Sequence, residues 1–273
     1  KLKIRILWDL MLWTYNRLKL VTTPTETAAA ILSQQKINFQ VIAISCGVDT
    51  VRFTPGLPED TGAARAEFGL NSEGIIFLYV GRHDREKRID LLIRGLALLR
   101  KQGRTDMRLV LAGQGAAKNE LQALVRSLAL DDQVTFLGYV DNQKLPALFR
   151  SADIFTMPSP EELQSIATLE AMASGKPILA ANARALPELV APGVNGALFE
   201  PGSVESAAKG MVDLADLRAE WPRMGRASRT RASVHSLENT ISRYEAVYQR
   251  VKELQPQGSV NVAEMLLRSA GRD

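Results

Sequence analysis

A chain of 273 residues with 46% hydrophobic and 23% charged residues has the make-up of an ordinary globular protein, long enough for one or two domains. Its net charge of +4 fits an anionic ligand or a membrane surface without requiring one, and no nucleic-acid partner is expected. One cysteine, Cys46, excludes an internal disulfide, and the absence of any run of about 18 apolar residues excludes a spanning helix.

The opening Lys1-Leu2-Lys3-Ile4-Arg5 has no clean apolar core, so no signal peptide is expected. A start on Lys rather than Met leads us to expect further chain upstream. These features together predict a cytoplasmic location, with the membrane surface as the alternative. Residues 1–20 are basic and apolar and predict a helix. It is either an interfacial helix or a core helix cut from its domain, and the spread of its apolar residues over several faces favours the second. A strand is predicted at 19–23. A helix capped by Pro24-Thr25-Glu26-Thr27 and running to about 35 follows, then a strand at 40–44. Pro55, Gly56, Pro58, Asp60 and Gly62 predict a linker over 56–73.

From Gly74 the pattern becomes regular. Strands are predicted at 75–80, 108–112, 134–137, 154–157, 177–181 and 196–199. Helices are predicted at 89–101, 117–128, 143–151, 163–174 and 186–190. The run 75–80 is apolar throughout, as in a strand buried on both faces of a parallel sheet. Such alternation defines an α/β fold with a doubly wound parallel sheet, which binds ligands beyond the carboxyl ends of its strands. Helices at 204–214, 218–231 and 236–253 complete the pattern, and 260–267 could add a further helical turn or two.

Chemistry concentrates in residues 157–179. Pro158 and Pro160 break regular structure between a strand and a short helix that Gly175 ends. Glu162 lies in the loop or at the helix start, and Glu170 lies roughly two turns deeper at ~3.6 residues per turn. The free N–H groups of the first turn lie between them and suit an anion. The plain alternative is that Glu161 and Glu162 only complement the helix dipole. In a second motif, Gly81-Arg82-His83-Asp84-Arg85-Glu86-Lys87-Arg88 follows a buried strand. Gly81 permits close approach of a ligand, Arg82 can grip phosphate in a bidentate way, and Lys87 adds a point charge. A solvated charged loop is the alternative, and His83 reads as a loop histidine. With His235 and Cys46 the only other candidates, no metal-ligand spacing occurs, and neither metal nor cofactor is expected.

Pro158-Ser159, Glu162 and Glu170-Ala171-Met172-Ala173-Ser174-Gly175-Lys176-Pro177 resemble the donor-site signature of retaining GT-B glycosyltransferases of the family 4 type, also called glycosyl transferases group 1. Gly81-Arg82 with Lys87, the segment 45–55, and Phe136-Leu137-Gly138-Tyr139-Val140 match further motifs of that family. The resemblance spans about residues 20–253. It implies a nucleoside-diphosphate sugar, preferably a UDP-sugar, as donor, and transfer of a hexose with retention of configuration. It makes Arg82, Lys87 and Glu162 catalytic. Gly81, Tyr139, Val140, Leu163, Gln164, Ser165, Ile166 and Glu170 join them in donor binding, with Glu162 on sugar hydroxyls, Glu170 on ribose, and 164–166 on phosphate. The family's Glu-Gly-Phe-Gly is replaced here by Glu162-Leu163-Gln164-Ser165, which narrows the sugar geometry that fits.

The implied architecture is the tail of an N-terminal acceptor-side domain (1–55), the linker (56–73), a Rossmann-like donor domain (74–235), a cross-over helix (236–254) and a tail (255–273). A polypeptide lacking most of the acceptor domain should bind donor and turn over poorly. The acceptor is left open between a lipid and a saccharide, with peripheral membrane contact through the N-terminal segment as an option. Two other classes share these features: a nucleotide-binding module without transferase activity, and a sugar-nucleotide epimerase.

Overall fold

The computed structural model describes residues 2–18, 20–35, 37, 39–70 and 73–253. Helix α1 (Leu2–Tyr15) is followed by β1 (Leu20–Thr23), α2 (Glu26–Ser33) and β2 (Gln40–Ala43). Strands β1 and β2 form a two-stranded parallel sheet with Leu20 opposite Gln40. Thr25 caps α2 by accepting the amide of Ala28, as its position ahead of an alanine-rich run predicts. Ile6, Leu7, Leu10 and Trp13 of α1 are exposed. No helix among the described residues is long and apolar enough to cross a membrane.

The expected linker at 56–73 contains a helix, α3 (Pro58–Glu67). Its Pro58 sits at the first helical position and Asp60 accepts the amide of Leu57 at 2.8 Å, so residues read as breakers act here as a start signal. Arg65 then fastens α3 to the larger sheet through Asp153 at 2.6 Å and the carbonyl of Ser151 at 3.0 Å.

That sheet follows the predicted alternation. Its elements are β3 (Ile75–Val80), α4 (Ile89–Lys101), β4 (Met107–Ala112), α5 (Lys118–Ser127), β5 (Val134–Gly138), α6 (Leu145–Ser151), β6 (Ile154–Met157), α7 (Ile166–Ala173), β7 (Ile178–Ala181), α8 (Leu186–Leu189) and β8 (Gly196–Phe199). All six strands are parallel, in the order β5-β4-β3-β6-β7-β8. The apolar run of β3 lies at its centre, with Phe77, Leu78 and Tyr79 fully buried. Strand order reverses between β3 and β6. Right-handed crossovers in opposite directions put α4 and α7 on opposite faces, and a crevice opens beyond the carboxyl ends of these two strands.

Helices α9 (Val204–Asp216), α10 (Trp221–Ser233) and α11 (Leu237–Glu253) close the fold. Helix α9 packs on α4, and α10 on α7. The start of α11 returns to the N-terminal segment: Val48 bridges Ser236, and Arg243 donates to the carbonyl of Ala43 at 2.7 Å. A helical turn expected at 260–267 lies outside the described residues.

Candidate donor-binding site

The crevice begins with the loop after β3. A Cβ on Gly113 would lie 1.9 Å from the carbonyl oxygen of Gly81, so the loops after β3 and β4 touch backbone to backbone only because Gly113 lacks a side chain. The buried hydroxyl of Tyr79 donates to the carbonyl of Arg82 at 2.8 Å, which fixes the turn into the loop. Burial, reinforced by the Glu162 carboxylate, raises the pKa of Tyr79 far above its ordinary value, so this hydroxyl keeps its proton.

Arg82 and Lys87 differ in what they hold. Arg82 is two-thirds exposed and forks between Asp84 and Glu86 of its own loop. Exposed pairs of this kind contribute little, so the guanidinium can exchange them for a phosphate at small cost. Lys87 turns inward, its Nζ 2.7 Å from Glu162 Oε1, with only 18% and 12% of the two side chains exposed. This contact joins the β3 loop to the β6–α7 loop and brings the two sequence motifs together. Of the neighbouring arginines, Arg85 is exposed and paired with Glu120. Arg88 pairs with Asp90 from a left-handed backbone conformation, φ 53°.

Helix α7 starts at Ile166, three residues later than sequence predicts, so Glu162 belongs to the loop. Ser165 is the reason: its hydroxyl accepts the amide of Thr168 at 3.2 Å and a second bond from the Thr168 hydroxyl at 2.8 Å. The amides of Ile166 and Ala167 donate to no described residue. They stand at the positive end of the helix, ready for an anion. Leu163 and Ile166 are exposed. The Gln164 side chain points to the N-terminal segment, leaving its backbone for the crevice.

Glu170 lies one turn into α7, and no described residue hydrogen-bonds its carboxylate. Burial pushes its pKa up to about 7, against the pull of Arg52. Arg52, from the segment leading into α3, also donates to the carbonyl of Asn142. Asn142 lines a cleft of about 360 Å³ with Gly81, Arg82, Gly113, Tyr139 and Val140. Tyr139 is 70% exposed and stands at the rim of this cleft. Gly81, Arg82, Tyr139 and Val140 thus share one cleft at the ends of β3, β4 and β5. Lys87, Glu162 and the start of α7 occupy the crevice beside it.

Sequence reasoning missed Arg52, Tyr79 and the outward reach of Gln164, because each acts through contacts distant in the chain or through burial. His83 is a loop residue, as expected, yet it is fully buried between the rings of Tyr79 and Phe136. Burial lowers its pKa, which keeps the imidazole neutral. No group of three or more metal-ligating side chains occurs among the described residues.

A six-stranded doubly wound sheet with two acids and two cations at its switch point is the architecture of a GT-B donor-side domain. Residues 60–231 match the family described as glycosyl transferases group 1, and the chain belongs to that family. It is 34% identical over 218 residues to D-inositol 3-phosphate glycosyltransferase of Streptomyces avermitilis, which covers 77% of this chain and 46% of the relative. The Mycolicibacterium smegmatis protein of the same name is 32% identical, covering 85% and 52%. The chain thus spans about half the length of the curated relatives it matches. Among solved structures it resembles sucrose-phosphate synthase of Thermosynechococcus elongatus, with 25% identity and a TM-score of 0.80 over 90% of this chain and 63% of that one. It also resembles HepE of Anabaena in complex with UDP-glucose, with 23% identity and a TM-score of 0.78 over 90% and 67%.

Proposed function

We propose that this chain is the donor-binding half of a retaining hexosyltransferase that uses a nucleoside-diphosphate sugar, with UDP as the nucleotide. The Lys87–Glu162 contact carries this reading, because it puts a cation and a carboxylate side by side near the start of α7. The diphosphate would lie across Arg82, Lys87 and the amides of Ile166 and Ala167. Glu162 would accept hydroxyls of the hexose and Glu170 those of the ribose. The base would enter the 360 Å³ cleft against the main chain at Tyr139 and Val140. A relative solved with UDP-glucose supports the same nucleotide.

In the transfer itself, the bond from the anomeric carbon to the diphosphate oxygen breaks while the acceptor oxygen bonds on the same face. The acceptor's proton passes to the departing phosphate oxygen. Fixed positive charge from Arg82, Lys87 and the α7 terminus stabilises the developing diphosphate charge, which lowers the barrier without a metal ion. The acceptor, a lipid or a saccharide, would be held largely outside residues 74–235.

Titration of UDP, GDP and ADP tests the reading. We expect UDP to bind at least about tenfold tighter than the other two, a difference of ~1.4 kcal/mol. Equal affinities would remove the base assignment, and no binding of any would remove the site.

A further inference from the structure

The loop between the two acids is held from two sides. The larger domain anchors it where Glu162 O accepts the amide of Ala185 at 3.1 Å and where Ser165 caps α7. The N-terminal segment anchors the residues between them. Thr25 Oγ1 donates to the carbonyl of Leu163 at 2.8 Å. The Gln164 amide reaches further into the same segment. Its Oε1 accepts the amide of Cys46 at 2.7 Å, and its Nε2 donates to the carbonyl of Pro24 at 3.2 Å and to Ser45 Oγ at 2.9 Å. The orientation of the amide is fixed by chemistry, since the Cys46 N–H can only donate and the Pro24 carbonyl can only accept.

We propose that Gln164 is a positioning residue through which the N-terminal segment sets the sugar end of the donor site. The proposal rests on the reading of the crevice as a nucleotide-sugar site. Gln164 lies two residues after Glu162 and one before the cap of α7, so freeing it loosens the backbone that aims the sugar-binding carboxylate. The cleft at Tyr139, Val140 and Gly113 is built from the ends of β3, β4 and β5 and makes no use of Gln164. Gln164 therefore acts chiefly on recognition of the hexosyl group: the base cleft does not involve it, and the Ile166 and Ala167 amides that would take the diphosphate begin a helix that Ser165 caps without its help. The N-terminal segment becomes part of donor specificity, although every residue expected to touch the donor lies outside it.

The test compares two ligands on the unaltered chain, Gln164→Met and Gln164→Glu, using UDP and UDP-glucose, or whichever of the three nucleotides binds together with its glucose conjugate. Methionine removes all three bonds at similar length. Glutamate keeps the oxygen, loses the donor, and serves if the methionine variant does not fold by thermal unfolding. We expect the Kd for UDP-glucose to rise about tenfold, the worth of roughly one net hydrogen bond, and that for UDP to change less than about twofold. Ser45→Ala, which removes one of the three bonds, should act in the same direction with a smaller rise. A parallel loss for both ligands, as a merely structural role would give, or no loss for either, would overturn the proposal. Failure of the unaltered chain to bind any nucleotide would instead overturn the reading of the crevice, and this proposal with it.

Discussion

Lys87→Met should destabilise the protein by about 2–3 kcal/mol and remove donor binding. The variant strands the Glu162 carboxylate, which is 12% exposed, without its cation, and a buried charge deprived of its partner loses most of its compensation. The effect falls below the roughly 3–5 kcal/mol of fully buried pairs because both groups retain some contact with water. Glu162→Gln should cost less, roughly 1–2 kcal/mol, since the Lys87 stem can carry its ammonium outward. The double variant should be more stable than the sum of the single effects by about 1–2 kcal/mol, because it removes both charges together. Urea unfolding of the four proteins measures this through the shift in midpoint at constant slope. Additive effects would show that the two side chains do not interact as the structure places them.

Glu170→Gln should have opposite effects on stability and on binding. Its carboxyl has a pKa raised from 4.5 to about 7 by burial, so the native state holds the proton more tightly than the unfolded chain. Stability therefore falls as pH rises from about 4.5 through 7, and the loss persists above that window. Allowing for the part of the group that water reaches, removing the charge should stabilise the ligand-free protein by about 1–2 kcal/mol at pH 8 and by almost nothing at pH 4.5. The same substitution should weaken nucleotide binding by about 1–3 kcal/mol at pH 8, since a charged acceptor for ribose hydroxyls is lost. In the unaltered chain, nucleotide affinity should decline as pH drops below 7 and the carboxylate takes up its proton. Thermal unfolding and nucleotide titration across pH 5–8 measure both effects. A stability difference independent of pH, with unchanged affinity, would remove Glu170 from the site.

The elements best legible in the sequence are those whose partners are uniform. The run 75–80 is apolar on every residue and becomes the central strand, with Phe77 and Leu78 fully buried. The helix at 89–101 keeps its predicted bounds, with eight of its thirteen residues buried against the sheet and the helices α5 and α9. Legibility fails where a single distant contact outweighs local preference. Leu163 and Gln164 have good helix propensity, yet α7 starts after them: Ser165 takes the cap, and the bonds of Gln164 to Pro24 and Cys46, 140 and 118 residues away in the chain, hold the preceding residues outside the helix. Prolines and glycines at 55–62 read as a linker, while the Pro58 and Asp60 positions in fact start α3.

The candidate site shows the same division. Residue types alone left Arg82, Lys87, Glu162 and Glu170 open between a ligand site and solvated or dipole-complementing charges, and the family resemblance supplied the expected phosphate and sugar roles. Their pairing is a property of the fold: Lys87 faces Glu162 while Arg82 faces its own loop. Nor does a lone arginine in an irregular segment announce that it will act on Glu170, as Arg52 does. His83 illustrates the converse, since a histidine within a charged run reads as solvated and lies instead against Tyr79 and Phe136.

The most direct measurement is a crystal structure of the chain with UDP. We expect the diphosphate within hydrogen-bond distance of the Ile166 and Ala167 amides and of Lys87, the ribose on Glu170, and the uracil in the cleft at Val140. UDP seated instead in the larger cavity of about 650 Å³ between α4 and α5, lined by Arg88, Arg94 and Leu124, would contradict it.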